Sequence, residues 1–395
     1  MLRGTPFHTR TAPLNQTQSW RRWAGCLAAG SYELSPEREY WAVRNSAALF
    51  DISPLYKYLI TGPDAARLLN RVVTRDVGRC AVGQVLYTPW CDAAGKVLDD
   101  GTLARLDEQT YRLTAADPNL RWLSQNAAGL QVTITDISAS TAALALQGPF
   151  SREILAQIAP PEVRQLKYFR LIQTTVGGVP AAVSRTGYTG DLGYEIWTEA
   201  GHAERLWDAL LAAGRPYGLA PAGILALDIA RVEAGLLLLE VDYQSARHAL
   251  IEAQKSSPYE LGLGWAVALD KGGFVGRAAL QAEQARGPAW QFVGLAVEWD
   301  NLERLYAAEG LPPQLPAVTQ RTSVPVAALG QQVGYATSLV WSPLLKQFIA
   351  LAHLESARAQ PDSLVMLEVT VQHHRRYTPA RVVKLPFFDP ERKRQ

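Results

Sequence analysis

The sequence predicts a mixed α+β fold that ends in a mostly β module. Strand-like and helix-like segments alternate from Ala48 onward, and β-rich segments separated by turn residues fill roughly the last hundred residues. This order indicates an α+β protein and not a doubly wound parallel sheet. With 395 residues, of which 48% are hydrophobic and 19% charged, the chain can bury a large core in two or three domains.

The individual elements follow from local patterns. Strands are predicted at residues 56–60, 98–106, 111–114, 142–146, 292–299, 323–326, 333–337 and 365–371. Helices are predicted at residues 65–72, 151–158, 203–214 and 221–233. Gly62-Pro63-Asp64 is expected to cap the first helix and Ser151 the second.

Composition excludes several classes of function. The 39 basic and 37 acidic residues give a net charge of +2 without a basic stripe, so nucleic acid is not an expected ligand. The three cysteines have no C-x-x-C spacing, so we expect reduced thiols and no metal site. No leader-like N-terminus and no apolar stretch of ~18 residues is visible, which favours a cytoplasmic protein that does not enter a membrane.

Residues 1–45 are unusually aromatic for a chain end. Disordered segments are poor in aromatic residues, so this extension is expected to pack on the body as a surface arm or to cover an opening as a lid. Its aromatic residues include Trp20, Trp23, Tyr32, Tyr40 and Trp41.

The most specific motif is Arg-Thr-Gly-Tyr-Thr-Gly-Asp-Leu-Gly-Tyr-Glu at residues 185–195. Three glycines lie in a polar loop, and the strand that follows carries one carboxylate, Glu195. If buried, that carboxylate needs a partner, and a ligand with several N–H donors, such as a reduced pterin, would satisfy it. A hairpin with an exposed glutamate is the alternative.

This motif resembles the signature of the glycine cleavage T-protein (aminomethyltransferase) family. Further segments follow in the family's order, at residues 49–53, 61–65, 83–88, 144–149, 231–236, 274–276 and 334–343, so the resemblance covers about residues 46–390. It implies that tetrahydrofolate is the cofactor, that Glu195 grips its pterin ring, and that Tyr188 and Tyr87 line the site.

The resemblance also implies a fold, a three-domain ring around a central folate channel. A discontinuous α+β domain would comprise residues 1–55 and 140–285, including the aromatic extension 1–45. A second α+β domain would span residues 56–139 and carry an aspartate hairpin. A C-terminal β-barrel would span residues 286–395.

The sequence Gly-Lys-Val-Leu-Asp-Asp-Gly at residues 95–101 resembles the family segment with the catalytic aspartate. The reaction needs a carboxylate near N5 of tetrahydrofolate, to orient the cofactor and stabilise developing positive charge. Adjacent residues of a strand point to opposite faces, so only one of Asp99 and Asp100 is expected in the site. An ordinary hairpin is the alternative.

Arg231 begins the Arg-Val-Glu-Ala-Gly-Leu motif, which resembles the family segment with a folate-contacting arginine. A guanidinium suits a pterin edge or a carboxylate. The alternative is a helix arginine paired to Glu233 or another neighbour.

The donor half of the site departs from the family. Ser53-Pro54-Leu55 replaces a segment that commonly has histidine and methionine, and residues 237–243 replace a run of small and polar residues. Tyr243, at the end of that run, is a candidate acid for a leaving group, with plain packing as the alternative. His248 is a second candidate acid.

The predicted function is tetrahydrofolate-dependent transfer of a methylene or methyl group from a small donor to N5 of tetrahydrofolate. The donor would be an aminomethylated lipoyl carrier protein, or a free amine, sulfonium compound, aryl ether or methylenedioxy compound. A folate-binding iron–sulfur assembly factor is the alternative, although its K-G-C-x-x-G-Q-E loop does not occur here. No G-x-G-x-x-G follows a strand, so FAD is not expected.

Overall fold

The computed structural model describes residues 2–315 and 318–395. Its strands are β1 (Arg3–Gly4), β2 (Trp20–Trp23), β3 (Cys26–Ala29), β4 (Ala47–Asp51), β5 (Tyr56–Thr61), β6 (Val85–Cys91), β7 (Val97–Arg105), β8 (Thr110–Ala115), β9 (Thr133–Asp136), β10 (Thr141–Gln147), β11 (Leu171–Val176), β12 (Val179–Ser184), β13 (Gly193–Glu199), β14 (Leu219–Pro221), β15 (Trp290–Val297), β16 (Val324–Ala328), β17 (Gln331–Ser342), β18 (Gln347–Glu355), β19 (Leu364–Val371) and β20 (His374–Val383).

The helices lie between these strands and cover the sheets. They are α1 (His8–Thr11), α2 (Glu37–Asn45), α3 (Ala65–Val72), α4 (Leu120–Asn126), α5 (Ser151–Ile158), α6 (Ala203–Gly214), α7 (Ile224–Glu233), α8 (Arg277–Arg286) and α9 (Trp299–Ala307). The strands form a small sheet β1-β3-β2, a six-stranded sheet β11-β12-β13-β10-β4-β14, a five-stranded sheet β6-β7-β8-β5-β9 and a closed barrel β15-β18-β17-β16-β19-β20.

The six-stranded sheet is buried on both faces. Leu144 and Ile196 point to the face covered by α5 and α6, and Ala145 and Trp197 point to the face covered by α2, α7 and the barrel. Apolar side chains on both sides of each strand are expected for a sheet covered twice. The second face is the one that also carries Glu195, two residues before Trp197 on β13.

The five-stranded sheet has one apolar face. Tyr111, Leu113 and Leu103 lie in a core with α3 and α4, whose Leu68 and Leu123 are fully buried. The prediction for α3, residues 65–72, matches the observed helix. The opposite face of this sheet is polar and lines the site described below.

The aromatic extension is folded onto the body. Phe7 packs on Trp207 of α6, and Trp23 packs into the core between α2 and the six-stranded sheet. Glu39 is buried and accepts the backbone amides of Tyr32 at 2.6 Å and of Gly223 at 2.7 Å. These contacts fit the surface-arm alternative.

The fold class is confirmed, and the closed barrel lies where the resemblance implied it. The expected domain boundaries stay a prediction. Three local expectations were wrong. Trp299 begins α9 and does not end a strand, and Ser151 is the first helical residue, without a capping hydrogen bond. The helix predicted from Pro221 begins at Ile224 because Pro221 closes β14.

Three findings concern the cysteines, membrane-spanning helices and metal ligands. The three cysteines are free and buried, so burial and not a disulfide is their structural role. Within residues 2–315 and 318–395, no helix is long and apolar enough to cross a membrane. The same residues contain no group of three or more potential metal ligands.

Candidate functional site

A polar face of the five-stranded sheet looks onto the six-stranded sheet. Tyr111 and Leu113 of β8 point into the apolar core, so Arg112 and Thr114 point to the opposite side. The guanidinium carbon of Arg112 lies 4.0 Å from the ring centre of Trp197 on β13. The two sheets therefore meet at this point with polar side chains between them.

Strand pairing extends the polar face towards the aspartates. Arg112 lies opposite Ala104 of β7, and the amide of Thr102 donates to Oγ1 of Thr114 at 3.1 Å. Since side chains alternate along a strand, Asp100 shares this face with Ala104 and Thr102. The polar face thus runs from Arg112 at one end to Asp100 at the other.

Asp100 is held by two phenols. Tyr87 of β6 donates to its Oδ2 at 2.7 Å, and Tyr243 donates to its Oδ1. Burial raises the pKa of Asp100, and the bonds from Tyr243 and Tyr87 oppose that shift. Burial and the charge of Asp100 raise the pKa of both phenols well above the usual value, so they remain protonated near neutral pH.

Asp99 points the other way, as the alternation along a strand requires. Its Oδ2 accepts from Nδ2 of Asn119 at 2.8 Å and from the amide of Asp117 at 3.0 Å, and its Oδ1 accepts from the amide of Asp100. Burial raises its pKa well above the usual value. Asp99 therefore fixes the loop before α4 and does not face the phenols.

Tyr243 reaches Asp100 because the preceding residue is anchored in the barrel. The buried carboxylate of Asp242 accepts from Oγ1 of Thr337 at 2.6 Å and from Oγ of Ser338 at 2.7 Å, both on β17. It also accepts the amide of Leu238 at 2.9 Å, which closes the loop on itself. Tyr243 is 3% exposed, so its orientation is fixed by packing as well.

Arg231 is buried behind this loop and is already paired. Its guanidinium donates to Asp228 at 2.8 Å, to Asp242, to Oγ of Ser338 at 2.7 Å and to the carbonyl of Leu236 at 3.2 Å. These contacts engage most of its five N–H groups. The structure thus favours the ion-paired alternative, although with Asp228 and Asp242 and not with Glu233.

Glu195 lies on β13 with one oxygen engaged. Its Oε2 accepts from Oγ1 of Thr186 at 2.8 Å, and that hydroxyl also contacts Oγ of Ser184 at 2.8 Å. Burial raises the pKa of Glu195, while the bond from Thr186 and the charge of Arg112 lower it. Its Oε1 has no protein partner among the residues described, so this oxygen can accept from a ligand.

Arg112 was not singled out in the sequence. It is 7% exposed, and its Nε has no hydrogen-bond partner within the described chain, nor has the indole Nε1 of Trp197 beneath it. Burial lowers the pKa of Arg112 to about 10, and the charge of Glu195 opposes this shift. An arginine within the otherwise apolar and neutral strand Tyr-Arg-Leu-Thr-Ala was the signal available in the sequence.

Tyr188 is a half-buried residue of the glycine-rich loop between β12 and β13. Its phenol donates to the carbonyl of Leu237, in the loop that leads to Tyr243. Burial raises the pKa of Tyr188; the charge of Arg231 lowers it, and the charges of Asp242 and Asp100 raise it. Tyr188, Tyr87, Asp100 and Glu195 all keep some accessible surface although burial shifts the pKa of each, as expected for side chains that line an internal chamber.

His248 is not brought into this chamber. Its side chain is 42% exposed, and its Nε2 lies 2.9 Å from Oδ2 of Asp117 without hydrogen-bond geometry. Its Nδ1 is 3.9 Å from the exposed Glu240. The ring of His248 therefore lies at the surface, and its role as an acid stays a prediction that these contacts do not favour.

An aromatic pair lies beside the Asp100 end. The ring of Tyr87 stacks on Trp265 with centres 6.1 Å apart, and Trp265 is 62% exposed. The guanidinium carbon of Arg75 lies 5.3 Å from the indole centre. Tyr87 thus connects the buried aspartate to an accessible aromatic surface.

Two family models match this chain. The family model described as the GCVT N-terminal domain matches residues 11–271, and the glycine cleavage T-protein C-terminal barrel domain matches residues 310–389. The chain belongs to the glycine cleavage T-protein (aminomethyltransferase) family. These matches confirm the resemblance inferred from the motifs. Members of this family are tetrahydrofolate-dependent enzymes of one-carbon transfer.

Individual relatives place the chain within the family. An aminomethyltransferase of Moorella thermoacetica is 39% identical over 354 residues, which cover 89% of this chain and 88% of that protein. A trimethylamine-oxide aldolase of Ruegeria pomeroyi is 33% identical over 408 aligned positions, covering 100% of this chain and 48% of that protein. T-protein relatives therefore include proteins named for a different reaction.

A solved structure supports the fold. The crystal structure of aminomethyltransferase T of the glycine cleavage system from Bartonella henselae superposes with a TM-score of 0.82 and 24% sequence identity. The match covers 98% of this chain and 99% of that one. The T-protein fold thus extends over the aromatic extension, the two larger sheets and the barrel.

Proposed function

We propose that this enzyme transfers a methyl or methylene group from a small-molecule donor to N5 of tetrahydrofolate, bound in the chamber between Glu195 and Asp100. The observation that carries the proposal is the polar face with Asp100 at one end and with Arg112 at the other, where Glu195 of the facing sheet lies within reach of the Arg112 charge. Glu195 offers a free oxygen for the N–H groups of the pterin, and Asp100 lies with two phenols where the transfer would occur.

The unsatisfied polar atoms of the chamber fit a reduced pterin. Buried polar groups in folded proteins are nearly always hydrogen-bonded, so the unpaired Nε of Arg112 and Nε1 of Trp197 are suited to a polar ligand. Oε1 of the half-buried Glu195 is a further acceptor for such a ligand. A pterin carries both N–H donors and acceptor atoms in one flat ring. Tyr188 and Tyr87 supply apolar ring surface beside it, as flat ligands generally require.

Tetrahydrofolate, when bound, supplies the nucleophilic N5 that accepts the one-carbon unit. Asp100 would orient that nitrogen, compensate its growing positive charge and accept its proton as the N5–carbon bond forms. Tyr243 would donate a proton to the donor atom as its bond to carbon breaks. The hydrogen bond between Tyr243 and Asp100 then allows the accepted proton to replace the donated one.

The donor is the less defined half of the reaction. Tyr243 occupies the altered loop 237–243, and the accessible Trp265 lies next to Tyr87, so an aromatic or methylated cationic donor would find ring surface there. We propose a free small molecule of this kind as the donor. The donor implied by the family name is an aminomethylated lipoyl carrier protein. Transfer from that protein alone would contradict the proposal of a small-molecule donor.

Two experiments test the proposal. Calorimetric titration with tetrahydrofolate should show binding to the wild type and a loss of most affinity in Glu195→Ala; unchanged affinity in the variant would end the assignment of the pterin site. The enzyme and tetrahydrofolate are then incubated with a panel of methylated amines, sulfonium compounds, aryl ethers and methylenedioxy compounds. Separate detection of 5-methyl- and 5,10-methylene-tetrahydrofolate identifies the donor class.

A further inference from the structure

The glycine-rich loop 185–192 contains a carboxylate that the proposed function does not use. Asp191 lies in this loop with its side chain fully buried. Arg392 donates to both of its oxygens, through Nε at 2.6 Å and through Nη2 at 2.8 Å, and Nη1 of Arg44 on α2 lies 3.4 Å from Oδ2. Such charge-assisted, bidentate contacts are strong and directional. Two distant parts of the chain therefore hold the loop through one side chain.

The segment 388–395, which carries Arg392, contacts the loop at a second point. Arg185, the first residue of the loop, donates through Nη2 to the carbonyls of Arg392 at 3.3 Å and Lys393 at 3.1 Å. Arg185 is itself 4% exposed. The segment is thus bonded to the loop both at its first residue and at Asp191.

Phe388 fixes this segment to the rest of the protein. Its amide donates to the carbonyl of Glu233, at the end of α7, at 2.9 Å. Its ring centre lies 4.4 Å from the guanidinium carbon of Arg44 and 5.8 Å from that of Arg392. The aromatic ring therefore lies beside both guanidinium groups that bind Asp191 and favours their positions.

The loop is also packed closely around Gln147, at the end of β10. Nε2 of Gln147 donates to the carbonyl of Thr186 at 3.3 Å, and its Oε1 accepts from the hydroxyl of Thr189 at 2.9 Å. A Cβ atom at Gly187 would lie 2.0 Å from this side chain, and one at Gly193 would lie 2.3 Å from it. The glycines permit this close approach, so the loop has a single well-defined conformation while its other contacts hold.

The loop carries or supports the groups proposed to contact the pterin. Tyr188 precedes Asp191 by three residues and Glu195 follows it by four, and the hydroxyl of Thr186 donates to Glu195 at 2.8 Å. A ligand binds more tightly when the groups that contact it are already in place. We propose that Arg392 is a positioning residue that fixes the loop through Asp191 and thereby raises the affinity for tetrahydrofolate. This inference rests on the proposed function.

The test compares Arg392→Met with the wild type in calorimetric titrations with tetrahydrofolate. The affinity should fall about 3- to 10-fold, because part of the binding free energy must then order the loop. The unfolding temperature should change little, because Arg44 still pairs with Asp191 and the side chain of Arg392 is 39% exposed. Arg392→Lys keeps the charge without the fork of two donors, so it should restore part of the affinity.

Hydrogen exchange locates the effect within the protein. The amide of Leu192 donates to Oδ1 of Asp191 at 2.8 Å, so its protection depends on the position of that carboxylate. In ligand-free Arg392→Met, peptides from residues 187–192 should exchange faster than in the wild type, while β10 and β13 keep their protection. Addition of tetrahydrofolate should restore the protection of the loop. Faster exchange throughout the six-stranded sheet would assign Arg392 to overall stability and overturn the inference.

Arg394→Met is the matched control in the same segment. Arg394 donates to both oxygens of Asp389, at 2.9 Å and 2.7 Å, so its ion pair stays within the segment. This variant should keep the affinity and the loop protection of the wild type. An equal loss of affinity in Arg392→Met and Arg394→Met would overturn the inference, because it would trace the loss to the charge of the segment and not to the contact with Asp191.

The outcomes separate the inference from the function on which it rests. Unchanged tetrahydrofolate affinity in Arg392→Met, with a loss of affinity in Glu195→Ala, would overturn the inference alone. A wild type that does not bind tetrahydrofolate would overturn the proposed function itself.

Discussion

The phenol of Tyr243 donates a hydrogen bond to the carboxylate of Asp100, although 143 residues separate them in the chain. The aspartate belongs to a strand of the five-stranded sheet, and the tyrosine belongs to a loop that the barrel holds in place. The proposed proton transfers depend on this contact, so it is the first target for substitution.

Tyr243→Phe should lower kcat by about 100-fold, the scale of a lost general acid, and leave the dissociation constant of tetrahydrofolate nearly unchanged. Rapid-mixing measurements of product formation, with calorimetry for binding, provide both values. Tyr259→Phe is the matched control, because the hydroxyl of Tyr259 has no hydrogen-bond partner in the described chain and lies in the same apolar cluster. Equal loss of kcat in both variants would contradict the role of Tyr243.

Substitutions of the two neighbouring aspartates should affect turnover and stability differently. Asp100→Asn should reduce kcat strongly while the free energy of unfolding stays close to that of the wild type, because its partners are two hydroxyls that can rotate. Asp99→Asn should instead lose about 1–3 kcal/mol of stability, since it leaves a buried donor of the loop before α4 unpaired. Urea unfolding and turnover assays of both variants provide the comparison. Similar losses of turnover in two equally stable variants would contradict the division between the faces of β7.

Glu195→Gln should change stability in a pH-dependent way. Burial raises the pKa of Glu195 in the folded state, so its contribution to stability is present below the pKa of the unfolded chain, about 4.3, and is lost as pH rises through the folded value. Glutamine does not titrate. The ligand-free variant should therefore become more stable than the wild type as pH rises towards 7, and the difference should shrink below about pH 4. Urea unfolding at several pH values gives this difference, and a constant difference would contradict the raised pKa.

Arg231→Met should destabilise the enzyme by about 3–5 kcal/mol, because Asp228 and Asp242 would keep buried charges without their shared partner. Urea denaturation measures this loss. Tetrahydrofolate affinity, measured at a temperature where the variant remains folded, should fall less than in Glu195→Ala. A stable Arg231→Met variant that no longer binds tetrahydrofolate would restore the direct contact implied by the family resemblance.

Local patterns were sufficient for many elements but not for the composition of the site. The helix at residues 65–72 and the opposite orientations of Asp99 and Asp100 follow from helix and strand periodicity alone. The pairing of Arg231 with Asp242 and the surface position of His248 depend on how distant segments pack. No local pattern carries that information, and a family motif does not record which donors of an arginine are already engaged.

Arg112 is a further residue whose role in the site does not follow from local sequence patterns. Its position in a strand was predictable, since residues 111–114 were expected to be extended. Its importance depends on the absence of a partner on the facing sheet, and only the three-dimensional arrangement reveals that.

The carboxylate of Asp242 and the phenol of Tyr243 belong to consecutive residues, one bonded to the barrel and the other to the aspartate of a different sheet. A single peptide unit therefore links the mechanical integrity of the barrel to the chemistry of the chamber. Heating should abolish turnover at the temperature at which β17 loses its protection from hydrogen exchange, even if the two larger sheets are still intact.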